Sequence, residues 1–283
     1  FGIILDVELR VVSNARYQLK QYIVPLDESL ATFDSKIKDN PGVQMVYARM
    51  NITPDHLFEE VIINVLSRDN IAGIPSLSEP GMVRLRRAIF RGSAESDYGK
   101  ELRWTAETKL QPFLSRKVFS RNQLLNESVD ILQNNSADST DILHEYFVPR
   151  HRVIEFVEAL RRIIPEHEAN LLSVTVRTVN EDEDTFLRYA DQPMIAFVML
   201  FAQNKTAAGE SKMQAITQDL IDAAIENDGR YYLPYRMHAT HDQFHKAYPQ
   251  ADKFFALKRK YDPEELFQNL FYVKYGGIAE YQY

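Results

Sequence analysis

The sequence predicts an α+β fold: a mixed, largely antiparallel sheet built from two ferredoxin-like strand-helix-strand halves, helices on one face, a helical insertion and a C-terminal helical clasp. Three observations predict it. Runs of alternating apolar residues, the mark of half-buried strands, trade places with helical periodicities along most of the 283 residues. A weak internal repeat aligns QYIVPLDESLATF at 21–33 with EYFVPRHRVIEFV at 145–157, and each Tyr-x-Val-Pro is followed by a helix and then a strand. The stretch 70–140 breaks the pattern, being rich in Arg, Ser, Glu and Gln.

Taken in order, residues 3–12 and 17–25 read as strands, 27–38 as a helix, and 43–52 and 58–66 as strands. Pro25 and Pro149 end their strands by removing a ladder donor and preset φ for the helices that follow. In the insertion, helix-like runs at 80–92 and 122–134 are interrupted by Pro80, Gly92 and Pro112. The pattern then resumes with a strand at 142–148, a helix at 150–163, strands at 171–179 and 194–202, a helix at 210–227, a strand at 231–236, and helices at 241–247 and 249–260. The repeat sets VYARM at 46–50 beside VTVRT at 174–178, so Arg49 and Arg177 occupy comparable positions.

A chain that is 45% hydrophobic over this length buries a real core. Its 33 Lys and Arg against 40 Asp and Glu leave a net charge of −7, which supplies no positive field for a phosphate backbone and argues against a nucleic-acid partner. Zero cysteines exclude disulfides, thiolate catalysis, cysteine zinc sites and iron–sulfur clusters. No apolar run approaches the roughly 20 residues of a membrane-spanning helix. The compartment stays open, with the cytoplasm the expectation. FGIILDVELRVV begins inside an apolar, β-prone run with no initiator Met, which reads as a piece of something longer.

Three of the seven histidines lie in YRMHATHDQFH at 235–245. Thr240 and Gln243 form a capping box that starts a helix at His241, which leaves His238 outside it and removes the shared face a metal would need. His241 and His245 remain at i and i+4 with no third ligand, so no metal site is predicted. The following AYPQADKFFALKRKYDPEELFQN gives an amphipathic helix with Phe254, Phe255 and Leu257 inward and Lys253, Lys258, Arg259 and Lys260 outward. Asp262 caps the next turn, with Pro263 at its first position.

This last segment is similar to the C-terminal signature of flavin-linked oxidases of the vanillyl-alcohol oxidase superfamily, nearest the aldonolactone and alditol oxidase branch. LHEYFVPR at 143–150 resembles that branch's Glu-Tyr-Phe-Val-Pro stretch. VTVRTVNEDEDTFLRYADQPMIAFVMLF resembles its Glu-x-Arg strand, acidic run and next core strand. FGIILDVELRVV resembles the last strand of its FAD-binding domain. The resemblance implies that residues 1–14 are that last strand and crossover. Residues 15–283 would form the substrate-binding cap domain, with the insertion at about 70–140. FAD would be held mainly by a separate N-terminal domain, a partner of this one, because no Gly-rich strand–turn–helix is present here. A small alcohol, sugar, polyol or lactone is the implied substrate, and the fragment alone would be inactive.

What the resemblance implies for residues is a cation, a proton acceptor and hydroxyl-binding groups facing one crevice. Arg177 matches the arginine of Glu-x-Arg, and alternation puts Thr175 on its face, with Val174, Val176 and Thr178 on the other. Thr175 stands where the family has Glu. Tyr235 falls where the family has a flavin-facing Lys and, as a phenol, is no fixed cation at neutral pH. Arg236 beside it points to the opposite face if the segment is a strand. Glu145 and Tyr146 match family residues and are expected substrate contacts. His144, an imidazole that titrates near neutrality, is a candidate proton acceptor in place of Thr175. Tyr235, Arg236 and Asn269, the last from the closing Phe-x-Asn, are expected on the cofactor side. Two other readings stay open: a binding module that has lost its chemistry, and a flavin dehydrogenase for a bulky or lipid-linked substrate, with MVRLRRAIFRG at 82–92 against a membrane.

Overall fold

Strand β1 (Arg16–Pro25) runs into helix α1 (Leu26–Lys36), which returns the chain to β2 (Val43–Met50) and then β3 (Glu60–Arg68) in the computed structural model, which describes residues 3–94, 96–110 and 118–277. β3 lies between β1 and β2 and is antiparallel to both, so β1 and β2 are parallel and α1 is their crossover. The insertion follows as α2 (Val83–Ala94), α3 (Asp97–Thr105), a π-helical turn at Ala106–Leu110, β4 (Val118–Ser120) and α4 (Arg121–Leu125).

The second half repeats the first. β5 (Ser139–Pro149), α5 (Val153–Glu166), β6 (Leu171–Val179) and β7 (Met194–Asn204) form the same unit, with β7 between β5 and β6 and antiparallel to both. Helix α6 (Ala207–Glu226), the short β8 (Arg230–Tyr231), and α7 (His241–Ala247), α8 (Ala251–Tyr261) and α9 (Leu270–Tyr275) complete the described chain. The sheet order is β4-β1-β3-β2-β6-β7-β5-β8. Its halves join edge to edge at β2 and β6 through two register pairs, Ala48 with Val176 and Arg49 with Thr175. The weak repeat is therefore a repeat of structure.

Period-two alternation sorts the side chains onto two faces. Val61, Ile63, Tyr146, Val148, Val174, Phe197, Met199 and Phe201 share one core with Phe156 and Leu160 of α5 and Leu220 of α6. Each such side chain is worth about 1.5–3 kcal/mol for its burial. The clasp seals the end of that core with Phe244, Tyr248, Phe255, Tyr272 and Tyr275. Gly229 lets α6 turn into β8, since a Cβ there would stand 2.4 Å from the carbonyl oxygen of Phe147. On the opposite face the insertion covers one part, with Phe90 and Ala94 of α2 packed on Leu172 of β6.

Four expectations need correction, and a fifth falls outside the described residues. Residues 3–12 form no strand: Leu5 is 92% exposed and Val11 86%, because the run finds no neighbouring strand to complete its ladder. The strand expected at 231–236 stops at Tyr231, before Pro234, which has no N–H to give to β5. The run at 122–134 divides into α4 and a 3₁₀ turn at Val129–Ile131, because the Ser128 hydroxyl caps a new start. Lys258 points inward, paired with Asp262 and lying over the Tyr272 ring. Pro112 lies outside the described residues.

Candidate active site

The uncovered part of the second face holds a pair that neither strand shows by itself. Arg177 on β6 donates to the carboxylate of Glu145 on β5, although β7 runs between them. Arg177 is in register with Ala196 on β7, and Ala196 with Phe147 on β5; the row above runs from Thr175 through Val198 to Glu145. The guanidinium thus reaches diagonally across β7, from the row of Ala196 to the row of Val198. Glu145 is almost wholly buried (3% exposed) while Arg177 is half exposed (53%), so the pair offers its cationic end to solvent.

An aromatic wall borders the pair. Phe147 stacks on Tyr189 with centroids 4.2 Å apart. Tyr189 meets Tyr232 edge-on at 5.6 Å, and Tyr232 meets Tyr235 edge-on at 4.9 Å. Tyr232 also donates its backbone N–H to the Glu145 carbonyl (2.9 Å), continuing the edge of β5 for one residue past β8. Burial raises the Tyr235 phenol above its ordinary value, Glu145 and Tyr232 add to this, and Arg177 opposes it. Tyr235 is therefore a protonated hydrogen-bond donor at neutral pH. Tyr189 and Tyr232 were not singled out from the sequence, although the run RYYLPY at 230–235 was the available signal.

Arg177, Thr175 and Glu145 lie on one face with Tyr235 at its edge, and Glu145 and Tyr235 also line a small cavity with His144, Tyr146 and Arg236. His144 and Tyr146 point to the helical side, where the Tyr146 hydroxyl bonds His144 Nδ1 at 3.0 Å. Burial, then the charges of His238 and Arg236, push the His144 imidazole down to about 3, so it is neutral at physiological pH. Its Nε2 has no partner among the described residues, and the ring borders a small cavity with Glu145, Thr217, Tyr235 and Arg236. Arg236 turns from Tyr235 toward the N-terminus of α6 and pairs with Glu210 at 2.6 Å. Asn269 caps α9 by accepting from the Tyr272 N–H at 2.8 Å.

The histidine-rich stretch is structural in its contacts. Thr240 and Gln243 form both bonds of the capping box. His238, outside that helix and buried, links Thr217 (2.9 Å) to Glu210 (2.9 Å). Hydrogen bonds from Gln203 first, then His238 and Arg236, hold Glu210 down to about 2. His245 bonds the His241 carbonyl, and among the described residues no group of three His, Cys, Asp or Glu is placed to hold a metal.

The described residues fit one end of a flavin and not the other. An exposed guanidinium beside phenols suits the polar edge of an isoalloxazine ring, whereas no Gly-rich turn opens a helix here to cradle a pyrophosphate. No helix of the described residues is long and apolar enough to cross a membrane. Helix α2 does expose Leu85 and Ile89 beside Arg84 and Arg86.

Comparison with known proteins gives a family. Residues 100–275, more than half of the chain, match the family model described as D-arabinono-1,4-lactone oxidase. Among solved structures, the chain is similar to 4-ethylphenol oxidase from Gulosibacter chungangensis in its isoeugenol complex, with 11% identity and a TM-score of 0.48. That match covers 89% of this chain and 52% of the other, so the chain spans about half the length of that protein. No curated protein matches.

Proposed function

The chain belongs to the D-arabinono-1,4-lactone oxidase family, and from that premise we propose that it is the substrate-binding cap of an FAD-dependent oxidoreductase that oxidises an alcohol or lactone carbon. Residues 15–283 form the cap in this reading, and 1–14 lead in from the FAD-binding domain. The supporting observation is the Arg177–Glu145 pair on the uncovered sheet face, with the phenol of Tyr235 beside it.

Bound FAD supplies the hydride acceptor. The chain's own residues would bind and orient the substrate and manage its proton. Tyr235 donates a hydrogen bond to the substrate oxygen. Arg177 stabilises the negative charge that grows there as the hydroxyl proton leaves, and Glu145 fixes Arg177 and accepts that proton. Thr175, one row along the same face, offers a hydroxyl to a neighbouring substrate hydroxyl. The wall of Phe147, Tyr189 and Tyr232 keeps water from one side. His144 has no part in this reading, because burial leaves its imidazole with too low a proton affinity to serve as the acceptor.

The pair also answers the absence of a carboxylate at Thr175. Glu145 supplies from β5 what that position lacks, which favours a working site over a binding module without chemistry. The test uses the full-length gene product, which should be yellow and should bleach anaerobically when an alcohol or lactone substrate is added. A colourless full-length protein, or a flavin that no alcohol or lactone reduces, overturns the reading.

A further inference from the structure

The structural repeat gives Arg177 a counterpart that the proposed reaction leaves unused. Arg49 on β2 is in register with Thr175 on β6, so Arg49, Thr175 and Arg177 are neighbours on the uncovered face. Diagonal neighbours of this kind stand about 7–8 Å apart, within reach of long side chains converging on one small molecule.

The charges around the two arginines differ. Arg177 has Glu145 to itself. Arg49 meets Glu107, on the π-helical turn, only through a long contact of 3.3 Å, and the same oxygen accepts from Arg103 at 3.2 Å. Arg103 donates also to Ser93 (3.1 Å) and to the Leu172 carbonyl (3.0 Å). Burial first, and then repulsion from Arg49, lower Arg103 to about 10, a sign that two cations share one carboxylate. The next carboxylate, Glu127, is matched by Arg86 at 2.6 Å. Among the described residues the three guanidinium groups have two carboxylates as ion-pair partners, Glu107 and Glu145, and the weakest hold is that of Arg49, one-third exposed, in a chain whose net charge is −7. A local excess of positive charge in an acidic protein is what a bound anion needs.

We propose that Arg49 binds a carboxylate on the substrate, so that the preferred substrates are hydroxy acids of the sugar-acid class: the reacting hydroxyl lies at Arg177 and Glu145, and the carboxylate lies at Arg49. This rests on the proposed flavin-linked oxidation and names the substrate class of that same site. The planar guanidinium is suited to paired hydrogen bonds with a carboxylate. Its weak hold on Glu107 leaves donors available for them.

The same anion-binding chemistry would also serve the flavin's own negative charge, and the experiment separates the two sources. Full-length holoenzyme is assayed with gluconate and with glucitol, its uncharged counterpart, as wild type, Arg49→Gln and Glu107→Gln. Wild type should favour gluconate. Arg49→Gln should raise KM for gluconate at least tenfold more than KM for glucitol. Glu107→Gln, which releases Arg49 from its shared carboxylate, should lower KM for gluconate. A role confined to docking the insertion moves both variants the same way and overturns the proposal. Equal loss on both substrates with a changed flavin spectrum assigns the cation to the flavin and overturns it too. Melting temperature gives a second readout that needs no turnover: gluconate should raise it in wild type and not in Arg49→Gln. A protein that shows this shift but bleaches with no substrate refutes the oxidation and keeps the carboxylate site. One that bleaches with glucitol yet shows neither shift nor preference refutes the carboxylate site alone.

Discussion

Arg177 and Glu145 lie 32 residues apart in sequence on strands that are not neighbours, and their side chains close into an ion pair across β7. The arginine keeps a carboxylate partner although Thr175 carries none. In the proposed reaction this pair handles the substrate's charge and proton together. Glu145→Gln keeps the shape and a hydrogen-bond acceptor for Arg177 but removes the base. It should lower flavin reduction by about 10²–10⁴-fold, measured in single turnover with the full-length enzyme. A purely structural Glu145 would tolerate the amide with the rate nearly intact, and that outcome sinks the catalytic assignment.

Ala196 stands on the row from which Arg177 reaches across β7. It is fully buried, in register with both Arg177 and Phe147. Ala196→Leu would force a branched side chain into a fully buried position beside Arg177, and overpacking of this kind costs about 1–3 kcal/mol. A lowered melting temperature should accompany a loss of turnover like that of Arg177→Gln. The smaller Ala196→Gly should keep turnover and lose stability alone. Turnover preserved in Ala196→Leu would show that the pair is unnecessary.

The sheet halves were legible in the sequence because strand alternation, the Val-Pro ends of β1 and β5 and the helical periods of α1 and α5 all point to the same unit. The capping box at Thr240 was legible for a similar reason, its partners being three residues apart. The Arg177–Glu145 bond was not, because it depends on the strand order β6-β7-β5, which local pattern does not encode. Nor was the aromatic wall, whose members come from β5, the loop before β7 and the turn after β8. Lys258 was misread as outward because helical periodicity counts it as polar, whereas Asp262 four residues on neutralises it inside.

Tyr235 has a phenol raised above its ordinary value and is a donor rather than a cation. Tyr235→Phe removes one hydrogen bond to the substrate oxygen and should reduce kcat by roughly tenfold, the worth of one such bond of about 1.4 kcal/mol. KM should change less, because the bond strengthens as charge develops. Stability should hardly move, since the ring contact with Tyr232 remains. A rise in KM at constant kcat would instead assign Tyr235 to simple binding.

His144 makes the fold sensitive to acid without taking part in the reaction. Its folded-state value of about 3 lies below the 6.5 of a free imidazole, because burial and the charges of His238 and Arg236 disfavour its cation. The unfolded chain therefore takes up the proton first. The stability contribution is fully present above pH 6.5 and declines as pH falls from there toward 3. With about 1.4 kcal/mol for each tenfold change in proton affinity, the decline is on the order of 4–5 kcal/mol. His144→Gln should abolish this part of the acid sensitivity between pH 6.5 and pH 4.5, flattening the dependence of the denaturation midpoint on pH. Glu210 acts at lower pH: lowered from 4.5 to about 2 by Gln203, His238 and Arg236, it loses its contribution as pH falls from 4.5 toward 2. The His144 slope therefore stands alone between pH 6.5 and 4.5, where wild type and His144→Gln are compared. An unchanged slope between pH 6.5 and pH 4.5 in the variant would mean that another group governs the acid transition.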